Sequence, residues 1–182
     1  MTFTIERLNH FAWRCRDAEE TRAFYEDILG LPLAHVIRAD TVPSTGEYCP
    51  YTHIFFKMAD GSFIAFFDLG DDVAALPSPN TPAWVNHIAL QVPDRAALLA
   101  AKARLEAAGV EVLGITDHHI IESIYFFDPN GFRVELTTWL VDQAYMDRAQ
   151  QDAHAALSAW TVEKQERRRQ TDQTSDDRPS LA

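Results

Sequence analysis

Leu8-Asn9-His10-Phe11-Ala12-Trp13 near the start of the chain and Val85-Asn86-His87-Ile88-Ala89-Leu90 in its middle share one pattern: apolar, Asn, His, apolar, Ala, apolar. The density of β-branched and aromatic residues predicts a strand in each. A polar break and a helical pattern follow both times. The first helix is expected over Asp17 to Leu29, with Ala18, Phe24, Ile28 and Leu29 as its apolar stripe and Gly30 as its stop. The second is expected over Asp94 to Ala108, with Asp94 as N-cap behind Pro93 and Gly109 at the end.

Three strand-like runs follow each helix: Leu33–Ala39, Thr52–Met58 and Ser62–Asp68, then Glu111–Ile115, Glu122–Phe127 and Phe132–Thr138. A tight turn precedes the last strand each time, Asp60-Gly61 and Asn130-Gly131, and both dipeptides favour hairpins. The order recurs too fully for chance. The expected fold class is α+β, two tandem βαβββ modules forming a curved, cup-like mixed sheet around a metal site, plus a C-terminal helix. Residues 1–140 form one domain, with module 1 over about 5–68, a Pro-rich linker over about 69–82 and module 2 over about 83–139. Residues 141–169 read as one long helix without Gly or Pro, and 170–182 as a polar, disordered tail.

The chain has 182 residues and a net charge of −11, which argues against a nucleic-acid partner because phosphate binding needs a basic face. Its two cysteines, Cys15 and Cys49, make neither a disulfide framework nor a closely spaced metal pair. No secretory pattern opens the chain and no apolar run spans a bilayer, so a cytoplasmic protein without a membrane partner is expected.

Residues two apart in a strand share a face, so His10 and His87 occupy equivalent positions in the two repeats. The last strand of the second repeat adds Glu135, flanked on its face by Arg133 and Thr137. Burying that carboxylate unpaired would cost several kcal/mol. Aligning the two Gly turns sets Ala65 against Glu135, so the first repeat offers no fourth side-chain ligand there. Two imidazoles and one carboxylate leave adjacent coordination positions open, which suits Fe(II) with dioxygen; Mn and Zn accept the same ligands.

The segments LNHFAWRCRDAEETRAFYEDILGLPL, WVNHIALQVPD and IYFFDPNGFRVEL resemble the vicinal oxygen chelate superfamily of glyoxalase I, antibiotic-resistance proteins and extradiol dioxygenases. The resemblance covers about Glu6 to Trp139. The run TDHHIIESIYFFDPNGFRVE is similar to the extradiol signature, which implies a ring-cleaving enzyme with His10, His87 and Glu135 as metal ligands. It further implies that Tyr125 and His118, or His119 if the register shifts by one, stand near substrate and oxygen. Phe55 and Phe67 are candidates for an apolar wall against an aromatic substrate. His53, Tyr48 and Tyr51 border the loop Asp40–Pro50, a candidate cover for the pocket.

Two departures accompany the resemblance. Many extradiol enzymes are twice as long, and many carry a further catalytic His between the second metal His and the signature, where this chain has none. The expected function is an Fe(II) extradiol dioxygenase acting on a catechol-like aromatic with dioxygen, as a homodimer. The alternatives are a lyase, isomerase or epimerase working through an enolate on Mn, Zn, Ni or Co, and a non-catalytic drug-binding protein.

Overall fold

The computed structural model describes residues 3–176. Its first compact unit, Met1–Trp139, holds both modules. Module 1 contains β1 (His10–Cys15), α1 (Ala18–Arg22, continuing as a π-helical stretch Ala23–Ile28), β2 (Leu33–Thr41), β3 (Tyr48–Lys57) and β4 (Phe63–Asp68). Module 2 contains β5 (Ile88–Gln91), α2 (Arg95–Ala107), β6 (Leu113–Asp117), β7 (Ile121–Phe127) and β8 (Arg133–Trp139). Each module is a four-stranded mixed sheet, ordered β1-β4-β3-β2 and β5-β8-β7-β6. The first strand of each runs parallel to the last, and the other pairings are antiparallel. Together they form the expected tandem βαβββ fold, an open curved sheet with helices.

The repeat extends to the helix starts. The Asp17 carboxylate accepts from the Glu20 amide at 2.7 Å, and that of Asp94 from the Ala97 amide at 2.8 Å, so both helices begin on the same cap. The first helix departs from the expected continuous α-helix, because Leu29 N donates to Phe24 O, five residues back. The neighbouring Phe24 and Tyr25 are both buried there.

Strand alternation decides what each module offers the other. Phe11 and Trp13 point to the helix side of their sheet, where Phe132 of module 2 stacks on them with ring centroids 5.4 and 4.9 Å away. Polar bonds lock the same seam. Tyr25 Oη donates to Asp128 at 3.1 Å, the Arg16 amide to Asn130 Oδ1 at 2.8 Å, and Asn130 Nδ2 to Thr21 Oγ1 at 3.2 Å. The Asp128 carboxylate also accepts from the amides of Asn130 and Phe132. The Asp-Pro-Asn-Gly turn is therefore a tether between modules. His10 and Ala12, alternating with Phe11 and Trp13, belong to the opposite face.

The second unit is Leu140–Ala182, in which α3 spans Gln143–Asp176. The helix outruns its expected end and takes in residues 170–176, which the sequence reading assigned to a disordered tail. Those residues are polar but contain no Gly or Pro to stop a helix. The rest of the expected tail, 177–182, lies outside the described residues.

Phe132→Ala should destabilise the protein by about 3–5 kcal/mol, because a large buried ring is removed from the seam. Urea unfolding followed by circular dichroism measures it, with Phe127→Ala on an exposed ring as the control that changes little.

Candidate metal centre

On β5 and β8 the sequence places a histidine and a carboxylate side by side. His87 Nε2 lies 2.9 Å from Glu135 Oε2. The Glu135 side chain is 4% exposed and accepts from Ser123 Oγ at 2.5 Å through its other oxygen. His87 Nδ1 lies 2.9 Å from the carbonyl of Val85, which can only accept, so Nδ1 carries a proton. In the neutral ring, Nε2 then turns a lone pair towards the carboxylate. Two lone-pair donors at this separation need a cation between them or a second proton on the ring. An imidazole nitrogen and a carboxylate oxygen are donors of the types that hold a divalent ion, and the carbonyl bond fixes the ring as metal-binding histidines require.

His10 is prepared in the same way. Its Nδ1 pairs with Asn9 Oδ1 at 2.8 Å, which presents Nε2 outwards from an exposed ring. Its ring neighbours are Phe55 and His53 of its own module, with centroids at 5.6 and 6.0 Å. Among the described residues, no group of three or more His, Cys, Asp or Glu side chains is placed to hold a metal ion. The structure thus brings His87 and Glu135 together, but it does not bring His10 to them within one chain. The cause is the alternation in β1: packing Phe11 and Trp13 into the module seam commits His10 to the other face.

Around the His87–Glu135 pair the second module adds a phenol and an imidazole. Tyr125 sits opposite Glu135 in the β7–β8 register, and its hydroxyl lies 2.7 Å from His118 Nε2. Burial first, and then the Glu135 charge, raise its pKa above the ordinary phenol value, so it holds its proton. His118 is the residue brought to Tyr125. His119 adopts φ +69° in the turn, and its amide donates to Asp117. Arg133 stacks its guanidinium 4.4 Å from the centre of the Tyr125 ring.

The face of module 1 that carries His10 is aromatic. Phe67 stacks on His53 with centroids 3.6 Å apart, and Phe55 lies 4.1 Å from the same ring. Ala65, opposite Phe55, is buried and contributes no donor. His53, inside the expected strand Thr52–Met58, belongs to β3 and is 7% exposed. Its Nε2 is buried with no hydrogen-bond partner among the described residues. Its position two residues before Phe55, hence on the same face, was the available signal. Desolvation foremost, then the neighbouring His10 and His35, lowers its pKa to about 4.

A tandem βαβββ sheet with a histidine–carboxylate pair at matching strand positions defines the class of vicinal oxygen chelate folds. The chain belongs to the Glyoxalase/Bleomycin resistance protein/Dioxygenase superfamily, whose family model matches residues 7–136. Among solved structures it is similar to the glyoxalase I of Leishmania major, at 18% identity and TM-score 0.58, covering 85% of this chain and 99% of that one. It is also similar to the fosfomycin resistance protein FosX of Listeria monocytogenes, complexed with Mn(II) and sulfate, at 22% identity and TM-score 0.56, covering 78% and 99%. A third is TnmS3, an antibiotic-binding protein of Streptomyces, at 21% identity and TM-score 0.52, covering 76% and 99%. No curated protein matches. At these identities the likeness is one of fold.

The lowered His53 pKa has a signed consequence. The unfolded ring titrates near 6.5, so between about pH 6.5 and 4 the unfolded chain binds the extra proton and the folded chain does not. The stability contributed by the neutral ring is complete above that window and is lost as the pH falls through it. In metal-free protein the unfolding free energy should rise with pH across this range, and His53→Phe should flatten the rise. Urea titrations at a series of pH values measure both slopes.

Proposed function

We propose that this chain is a metal-dependent dioxygenase that opens a catechol-like ring beside its two hydroxyls. We further propose that His10 of one copy completes the site formed by His87 and Glu135 of another. The Tyr125–His118 pair carries the enzymatic reading, because it places a protonated phenol and an imidazole beside the His87–Glu135 pair. The sharing between copies is supported by the outward faces of both modules. Module 1 carries one member of the three-ligand set and module 2 the other two, and within one chain His10 is not brought to the His87–Glu135 pair. A homodimer is the smallest assembly that supplies the missing half.

Fe(II) fits a set of two imidazoles and one carboxylate, and when bound it would supply Lewis acidity and redox chemistry with dioxygen. The chain's own residues have separate tasks. Phe55 and Phe67 form an apolar wall that suits an aromatic ring and excludes water. Tyr125 Oη donates a hydrogen bond to oxygen that gains charge, and His118 Nε2 exchanges that proton at 2.7 Å. Ser123 Oγ holds the Glu135 carboxylate in orientation. The carboxylate that would favour an enolate-forming site with four side-chain ligands is absent at Ala65.

Protein loaded with Fe(II) without oxygen should consume one dioxygen per catechol and form a yellow ring-opened product once air is admitted. Tyr125→Phe should lower kcat by about 10²–10⁴-fold, the usual worth of a positioned proton donor. An oxygen electrode with a panel of substituted catechols measures it. Iron-loaded protein that takes up no oxygen on any diol would contradict the ring-cleavage reading.

A further inference from the structure

The two modules meet along two seams that the internal repeat makes equivalent, and only one is closed. In the closed seam, Phe132 covers Phe11 and Trp13, Asp128 ties Tyr25, and Asn130 ties Arg16 and Thr21. Counting from the paired Gly turns, the residues in the other seam that correspond to Asp128, Asn130 and Phe132 are Met58, Asp60 and Ser62. Counting from the paired caps Asp17 and Asp94, those that correspond to Thr21, Phe24 and Tyr25 are Leu98, Ala101 and Lys102. A ring is replaced by a hydroxymethyl at one position and by a methyl at another, and the tethering polar pairs have no counterpart. The result is a cavity of about 910 Å³ between the Met58–Ser62 turn, the Ile28–Leu31 corner, β5 and α2. Its size lies in the range of small-molecule sites.

The chemistry of its walls selects a ligand. Ile28, Leu31, Met58, Ile88, Leu90 and Leu136 make the interior apolar. The charged residues on the wall are Asp60 and Arg104. Asp60 is engaged, since its carboxylate accepts from the Ser62 amide and hydroxyl and Arg7 donates to its carbonyl. Arg104 donates to the main-chain carbonyl of Asp27 and, among the described residues, is in no ion pair with a carboxylate. A guanidinium beside an apolar trough matches a carboxylate on an apolar body.

We propose that this open seam is a second small-molecule site, separate from the metal centre, which takes an aliphatic or aryl carboxylic acid with its carboxylate on Arg104. The lining contains neither His87 nor Glu135, and Ile88, Leu90 and Leu136 alternate with Ala89 and Glu135 along β5 and β8, so the proposal stands independently of the catalytic reading. Dodecanoate and dodecan-1-ol serve as probes in isothermal titration calorimetry. Wild-type protein should bind about one dodecanoate per chain. Arg104→Met should weaken dodecanoate at least tenfold and leave dodecan-1-ol unchanged. Ala101→Phe, which restores the residue of module 1, should abolish binding of both, and Glu135→Ala should bind both as wild type does. The proposal is overturned if wild-type protein shows no saturable binding, if Arg104→Met binds dodecanoate normally, or if Glu135→Ala loses it. It is overturned as well if folded Ala101→Phe binds both probes normally, or if that variant changes oligomeric mass, which would make the seam a contact between copies.

Discussion

The contact of Phe132 with Phe11 and Trp13 organises the molecule. It buries a ring, fixes the two modules against each other, and uses one face of β1 to do so. Because a strand shows alternate residues to opposite sides, that commitment sends His10 and Ala12 the other way. The outward faces of both modules therefore hold the polar and aromatic groups, and the seam holds the core. Core residues and candidate site residues alternate along β1 and β8.

The same division separates two kinds of signature residue. Asp128, Asn130 and Gly131 belong to a motif that resembles a catalytic signature, yet Asp128 and Asn130 spend their hydrogen bonds on Tyr25, Thr21 and Arg16. They hold the modules together. Tyr125 and Glu135, at either side of that turn, are cross-strand partners in β7 and β8. A run that resembles an active-site motif thus contains both the tether and the candidate site residues, and their partners tell them apart: Asp128 bonds to Tyr25 of module 1, whereas Glu135 pairs with Ser123 and His87 of its own module.

Much of this was legible in the sequence because the internal repeat doubles every signal. The matching Asn-His strands, the Asp94 cap and the Gly turns pointed to the element order, and the repeat paired His10 with His87. What the repeat could not express is where its two halves meet. Equivalent residues suggested a shared cup, but the identity of Phe132 against Ser62 determines which faces are consumed in packing. His53 already lay within the expected strand Thr52–Met58; the structure starts β3 earlier, at Tyr48, and stacks the imidazole between Phe55 and Phe67. Ala65 was the informative absence, since it breaks the symmetry of the ligand set and leaves coordination positions open.

The central claim is that a complete metal site takes His10 from one chain and His87 with Glu135 from another. Mixing two defective variants tests it directly, by refolding His10→Ala together with Glu135→Ala and measuring tight Mn(II) binding by equilibrium dialysis. Each variant alone should lack the tight site. In the mixture, half of randomly paired dimers are mixed and each restores one intact site, so about a quarter of the wild-type sites should return. Full Mn(II) affinity in His10→Ala alone, or no recovery in a mixture that forms mixed dimers, would contradict the account.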